Sequence, residues 1–187
     1  MKIKKSTPRK PLSLLAAFAF LIPNVYGDVI PTNDWKAFII ISGGTNPPGG
    51  DNYKVRGTFD GAGAWFPDPS TLRIQVNHER VLDPGVDSAN ISEIDLDIDE
   101  LKSSITSVIG GGGPSASLII NARQAYSRWW DGATWTNTSD YTDTDFSRFC
   151  SARAHKPEEW APGRGFVDHL YITGEEKDVD RLFVLDS

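Results

Sequence analysis

Carboxylates and one thiol stand where predicted β-strands begin or end. Glu79 closes one alternating stretch, Glu175 and Glu176 close another, and Cys150 lies on a segment between them. Carboxylate oxygens are ligands for calcium and iron, and a thiolate is a ligand for transition metals such as iron. If these strand ends meet at one mouth of a β-structure, they form an oxygen-rich cation site with one sulfur ligand.

Each of these residues also has a simpler interpretation. Glu79 and Arg73 would be solvent-facing residues of an edge strand, since charged strand ends are usually hydrated. Cys150 is the single cysteine of the chain, which excludes an intramolecular disulfide. It would be a buried small hydrophobic residue, an intermolecular bridge, or a reactive or liganding thiol. The acidic alternation at 95–99 lacks the glycine of a calcium loop, so we expect the wet face of a strand there.

The strand that carries Glu79 has the clearest pattern in the chain. Over residues 72–79 apolar and polar side chains alternate, and His78 continues the apolar row. Alternation with period two predicts a half-buried strand. Residues 60–66 and the turn residues 67–70 precede it, and together they predict a β-hairpin.

Further short strands are expected between Gly/Pro-rich or polar segments. They lie at residues 35–41 (buried on both faces), 53–57, 91–98, 117–122, 129–135 (a hairpin), 167–173 and 181–186. Residues 101–109 would form a short helix or another strand, and no convincing helix exceeds about two turns. Short strands at near-regular spacing predict an all-β sandwich, barrel or propeller.

The N-terminus predicts export. Residues 1–27 carry five basic side chains and no acidic one, and the apolar run 12–22 stops at Pro23, which is typical of a secretory signal peptide. The run is too short to span a bilayer, so no stable membrane insertion is expected after cleavage; an uncleaved anchor is the alternative. Residues 28–187 would form a secreted or periplasmic domain. The chain has a formal net charge of −6 and no basic stripe, which argues against binding nucleic acid.

Four short motifs together resemble a known enzyme family. In order they are DGAGA at 60–64, VNHE at 76–79, RFCS at 148–151 and ITGEE at 172–176. This set resembles the N-terminal portion of the PhoX-type alkaline phosphatase family, and the resemblance covers about residues 53 to 187. It implies a β-propeller whose central mouth holds iron and calcium and hydrolyses phosphate monoesters.

The resemblance also implies roles for individual residues. Cys150 would match the iron-binding cysteine of the family, Glu79 the glutamate of its Asn-His-Glu, and Glu175 and Glu176 its Glu-Glu pair. The family's glycines and Thr-Pro-Trp-Gly segment after the cysteine are replaced here by Ser-Ala-Arg at 151–153. Two hypotheses follow, a metal-dependent phosphatase domain and a non-catalytic propeller segment that uses calcium structurally or serves as a binding platform.

Two further expectations follow from the phosphatase hypothesis. Arg148 would contact the phosphate group of the substrate, although a solvated surface arginine is the alternative. A propeller blade takes ~40–45 residues, so residues 28–187 would form roughly three or four blades. We therefore expect an incomplete propeller, from a truncated reading frame or a fragment of a longer protein.

Overall fold

The computed structural model describes residues 36–50, 52–55, 57–79, 88–138, 144, 146–176 and 181–186. The predicted signal peptide, residues 1–27, lies outside these described residues. In chain order the elements are β1 Phe59–Asp68, β2 Thr71–His78, β3 Asn90–Asp97, α1 Ile98–Ile109, β4 Ile119–Gln124, β5 Arg128–Trp130, β6 Trp135–Asn137, β7 Phe149–His155, β8 Leu170–Glu175 and β9 Leu182–Asp186.

All strand pairings in the described part of the chain are antiparallel. Strands β1 to β4 form a four-stranded meander, β5 and β6 form a hairpin, and β7 to β9 form a three-stranded meander. The predicted all-β class is confirmed at this level, with α1 as the single helix of the described residues. That helix is not long and apolar enough to cross a bilayer.

Strand β2 is buried along both of its faces rather than one. Its apolar row, which includes Ile74 and Val76, packs into a core with β3, β4 and loop residues such as Ile41. His78 ends this row, and its Nε2 lies 2.6 Å from Ser92 Oγ. Burial lowers the pKa of His78 to about 3, so the imidazole is neutral.

The opposite face of β2 carries ion pairs. Arg73 lies opposite Asp95 in the register and donates to both of its carboxylate oxygens, at 2.8 and 3.0 Å. One pair further along, Gln75 donates to Glu93 at 3.0 Å, and Arg123 of β4 donates to the same carboxylate. Glu93 and Asp95 are buried. The expectations of a hydrated Arg73 and a hydrated acidic face are therefore wrong, because cross-strand cations rather than water balance these acids.

Acid is expected to weaken this sheet through Asp95. Burial opposes ionisation of the carboxyl group, but hydrogen bonds from Arg73 and Asn121 outweigh it and lower the pKa of Asp95. An acid with a lowered folded-state pKa stabilises the fold above its unfolded pKa, about 3.9, and this stabilisation is lost as the pH falls through the folded pKa. In urea unfolding, the wild type should therefore lose more stability than Asp95→Asn below about pH 4.

The matched control for this experiment is Asp99→Asn. The Asp99 side chain is 90 % exposed, so its variant should follow the wild-type profile in acid. If Asp95→Asn also lost stability in parallel with the wild type, the ion pair with Arg73 would not be the source of the acid sensitivity.

Helix α1 is longer than expected from the sequence. It has 12 residues, which is about three turns, and residues 101–109 take the helical alternative. Asp97 is the N-cap, and its Oδ1 accepts from the backbone N–H groups of Asp99 and Glu100, both at 2.9 Å. Of the alternating acids, Asp95 therefore belongs to a buried ion pair and Asp97 begins the helix. The prediction that they form the wet face of one strand is wrong.

Two predicted strands are irregular segments instead. Residues 36–41, the described part of the first, form no strand, and Ile39 is 49 % exposed. The expectation of burial on both faces is therefore wrong. Residues 53–55 also form no strand. Val55 is nevertheless fully buried, because this segment covers the apolar face of the first meander.

The remaining strand predictions are confirmed with small shifts of their ends. The expected hairpin at 60–66 and 72–79 is β1 and β2, and the turn is held by Ser70, whose N–H and hydroxyl both donate to Asp68. The other predicted strands correspond to β3, β4, β5 with β6, β8 and β9.

Candidate metal centre

Three strand ends from both meanders meet at one point. Asp60 stands near the start of β1, Glu79 directly follows β2, and Cys150 stands near the start of β7. Each offers one ligand atom, and these atoms all lie within 4.8 Å of one another. The Cys150 thiol donates to Glu79 Oε1 at 3.4 Å. Two carboxylates and one sulfur are therefore close enough to hold one metal ion.

The β1–β2 hairpin brings Asp60 beside Glu79. Phe59 pairs with His78 across the hairpin, and the Glu79 N–H donates to the Thr58 carbonyl at 2.9 Å. Hydrogen-bonded strands lie about 5 Å apart. An acid at the start of one strand and an acid after the end of the other therefore become neighbours.

Two glycines allow β7 to approach β1. A Cβ atom added at Gly61 would lie 2.2 Å from the Cys150 carbonyl oxygen and 2.4 Å from Ala152 N. A Cβ atom added at Gly63 would lie 2.6 Å from the N and Cβ atoms of Ala154. Because interiors are close-packed, these distances exclude any side chain at either position. The sequence DGAGA is thus what lets Cys150 reach the acids of the hairpin.

The backbone of Arg148 joins the remaining strand ends. Its N–H donates to the Glu79 carbonyl at 3.2 Å, and its carbonyl accepts from the Glu176 N–H at 3.1 Å. Arg148 has a φ of 52°, a left-handed conformation that costs a non-glycine residue about 1 kcal/mol. Such strained backbone is concentrated at functional sites. The side chain of Arg148 is exposed, and its predicted contact with phosphate stays a prediction.

Burial and like charge raise the pKa of two of the donors, Cys150 and Asp60. Burial, followed by hydrogen bonds to Glu176 and Glu79, raises the pKa of the Cys150 thiol, which is neutral at pH 7 as a result. Burial and the charge of Glu79 also raise the pKa of Asp60. A divalent cation would relieve this repulsion and favour the thiolate.

The predicted Glu175–Glu176 pair is divided between two roles. Glu175 accepts from Arg181 Nε at 2.6 Å, from Arg181 Nη2 at 2.9 Å and from the Ser147 N–H at 2.7 Å. Although burial opposes ionisation, these hydrogen bonds lower the pKa of Glu175. Glu176 instead interacts with the Cys150 thiol. The structure therefore brings Glu79 and Cys150 together within 4.8 Å, leaves Glu176 outside that three-donor group, and places Glu175 in an ion pair.

Asp60 is the donor that sequence reasoning missed. Asp60 is the first residue of the DGAGA motif. The predicted hairpin contained the signal, because pairing 60–66 with 72–79 places the first residue of one strand beside the last residue of the other. An acid at each of these two positions predicts a carboxylate pair.

The donor set fits a transition metal better than calcium. Calcium takes six to eight oxygen ligands, whereas one thiolate with carboxylates suits iron or zinc. Asp60, Glu79 and Cys150 are thus compatible with the predicted iron. The predicted calcium would need additional oxygens, such as those of Glu176.

The comparisons with known proteins identify no family. No protein-family model matches the chain, and no curated protein or solved structure matches it significantly.

Proposed function

We propose that this chain is part of an exported, PhoX-like, metal-dependent phosphatase that hydrolyses phosphate monoesters. The observation that supports it is the meeting of the Cys150 thiol with the carboxylates of Glu79 and Asp60, whose ligand atoms lie within 4.8 Å of one another. Cys150 is 71 positions from Glu79 in the sequence, so only the fold brings the thiol to the two acids. Their types are those expected for an iron site with mixed sulfur and oxygen ligands.

The proposed centre assigns a distinct task to each side chain. A bound iron would polarise the phosphoryl oxygens and stabilise the charge that develops during hydrolysis. Cys150, Glu79 and Asp60 would hold it, and the thiol proton, now donated towards Glu79 Oε1, would leave the centre on loading. Glu176 would contribute oxygen ligands to a neighbouring calcium. Arg148, exposed beside the centre, would bind the phosphate group through its planar guanidinium.

We also propose a propeller-like arrangement for the two meanders. An antiparallel four-stranded meander is the form of a propeller blade, and β1 to β4 have this form. The donors stand at ends of strands from both meanders, as expected for ligands that line a mouth between blades. We also propose that such blades close into a ring.

A non-catalytic binding platform is the second candidate. It is favoured by the hydrogen bond between Cys150 and Glu79, which satisfies both groups without a metal. In this alternative the cluster is a protonated network that joins the two meanders, and any calcium would bind to carboxylates alone.

Metal uptake and hydrolysis should separate the two candidates. Co²⁺ serves as a probe for the iron site. The full chain should bind about one Co²⁺ ion and show the near-ultraviolet absorption of a cobalt–thiolate bond. Loss of a residue that only hydrogen-bonds to a metal ligand already lowers metal affinity about 10–100-fold, so loss of the ligand in Cys150→Ala should lower it by more than about 100-fold. The iron-loaded chain should hydrolyse a chromogenic phosphate monoester, and Cys150→Ala should not.

The exposed variant Asp99→Asn serves as the control, because it also removes one carboxylate but lies on the helix. It should keep both cobalt binding and hydrolysis. Binding of calcium alone, with no cobalt–thiolate absorption and no turnover in the wild type, would reject the phosphatase and favour the platform.

A further inference from the structure

We infer that the buried side chains of Asn77 and Tyr171 together position the three donors of the metal centre; this inference rests on the proposed metal-binding function. Neither residue is a donor in the centre. Both are fully buried, and they form hydrogen bonds to the backbone carbonyl groups of Cys150 and Gly61.

Asn77 connects the first meander directly to the donor residue of the second. Its Nδ2 donates to the carbonyl of Cys150 at 2.7 Å and to Thr173 Oγ1 at 2.8 Å. Thr173 in turn donates to the Ser151 carbonyl at 3.3 Å. Asn77 also lies two residues before Glu79, so it holds the strand end that carries this acid. One amide group therefore fixes Cys150 relative to Glu79.

Tyr171 extends the same network to the third donor. Its hydroxyl lies 2.9 Å from Asn77 Oδ1 and 3.1 Å from the Gly61 carbonyl oxygen, and its single proton is shared between these two acceptors. Gly61 directly follows Asp60. The network thus contacts the backbone at or next to two donors and lies within two residues of the third.

The chemistry of the acceptors fixes the orientation of the amide. The Cys150 carbonyl can only accept, so the Nδ2 group of Asn77 must face it. Asn77 Oδ1 then faces Tyr171, which must donate. A network in which every member is satisfied is rigid, and rigid support within about 0.5 Å is what a metal centre needs.

Tyr171→Phe is the test, because it removes one hydroxyl and leaves the ring in the core. We expect the variant to fold and to bind Co²⁺ about 10- to 100-fold more weakly than the wild type, with a shifted cobalt–thiolate band. Tyr126→Phe is the matched control, since Tyr126 packs on the same core cluster and its hydroxyl is also buried. The control should change cobalt affinity by less than about twofold.

Hydrogen exchange provides a second readout that needs no metal. The Arg148 N–H is bound to the Glu79 carbonyl, so its exchange reports whether the strand ends stay together. In the metal-free protein this amide should exchange faster in Tyr171→Phe than in Tyr126→Phe. Should Tyr171→Phe fail to fold, Thr173→Val replaces it, because it removes the hydroxyl on the other side of Asn77.

The outcomes separate this inference from the proposed function. Wild-type cobalt affinity in Tyr171→Phe, or an equal loss in Tyr126→Phe, would overturn the positioning role while the metal site stands. If the wild type binds no cobalt, the proposed function fails. The hydrogen-exchange rate of the Arg148 N–H is then the remaining test of the positioning role. Faster exchange specific to Tyr171→Phe would then support positioning, and equal exchange in both variants would overturn it.

Discussion

Gly61→Ala is expected to lower the free energy of unfolding by about 3 kcal/mol or more, at the upper end of the range for overpacked sites. The new Cβ would meet the Cys150 carbonyl oxygen at 2.2 Å and Ala152 N at 2.4 Å. Both are backbone atoms of β7, so no side-chain rotation relieves the contact. The only relief is a separation of β1 from β7, which would open the packing between the two meanders.

Gly174→Ala is the matched control for this substitution. Gly174 also lies in a strand, and a Cβ added there would meet nothing within 4 Å. Alanine restricts the unfolded chain, so this variant should be neutral or slightly more stable. Urea unfolding of the two variants measures the difference. Equal stability of Gly61→Ala and Gly174→Ala would mean that β7 does not lie as close to β1 as the structure has it.

The same substitution should also abolish the metal centre. Gly61 stands beside Asp60 and against the peptide of Cys150, so separation of the strands moves these donors apart. Cobalt binding should therefore be lost in Gly61→Ala even under conditions where the protein stays folded, and it should be kept in Gly174→Ala.

The parts of the fold that could be predicted are those with local patterns. Strand β2 and the β1–β2 hairpin follow from alternation over 72–79 and from the turn at 67–70. Both signals depend on residues close together in the chain. The proximity of Cys150 to Glu79 is a property of the folded chain, because no local pattern relates positions this far apart.

The parts that could not be predicted depend on partners distant in sequence. The alternation around Asp95 is the same whether its side chain faces water or a cation. The strand register distinguishes the two cases, because it places Asp95 opposite Arg73. Asp97 ends the alternation because its side chain caps a helix, a role that competes with strand formation for the same residue.

Glu175 illustrates the same limit within the candidate site. The sequence pattern does not distinguish it from Glu176, because both are acids at the end of one strand. The two differ because Arg181, which directly precedes β9, forms an ion pair with Glu175, while Glu176 lies just beyond the end of β8 and interacts with the Cys150 thiol. Metal ligands and structural ion pairs use the same residue types, so only the neighbours distinguish them.

Arg181→Met is expected to cost about 3–5 kcal/mol, because it leaves a buried carboxylate without its cation. The Glu175 side chain is fully buried, and Arg181 Nε lies 2.6 Å from its Oε2. The guanidinium also lies over the rings of Phe146 and Phe183, at 5.4 and 5.5 Å from their centroids. Methionine keeps part of this apolar packing and removes the charge. Urea unfolding near pH 7 measures the loss.

Three comparisons make the cause identifiable. Arg153→Met removes an exposed ion pair with Glu159, in which the Arg153 side chain is 66 % exposed, and it should cost less than about 1 kcal/mol. Adding Glu175→Gln to Arg181→Met should recover part of the loss, since the uncompensated charge is then gone.

In Arg181→Met alone, the unpaired Glu175 favours its protonated form, so its folded pKa lies above the unfolded value. The stability of this variant should therefore fall as the pH rises through the folded pKa of Glu175. A variant whose stability is independent of pH, or a double variant no more stable than Arg181→Met, would show that Arg181 acts through packing on Phe146 and Phe183 rather than through the charge of Glu175.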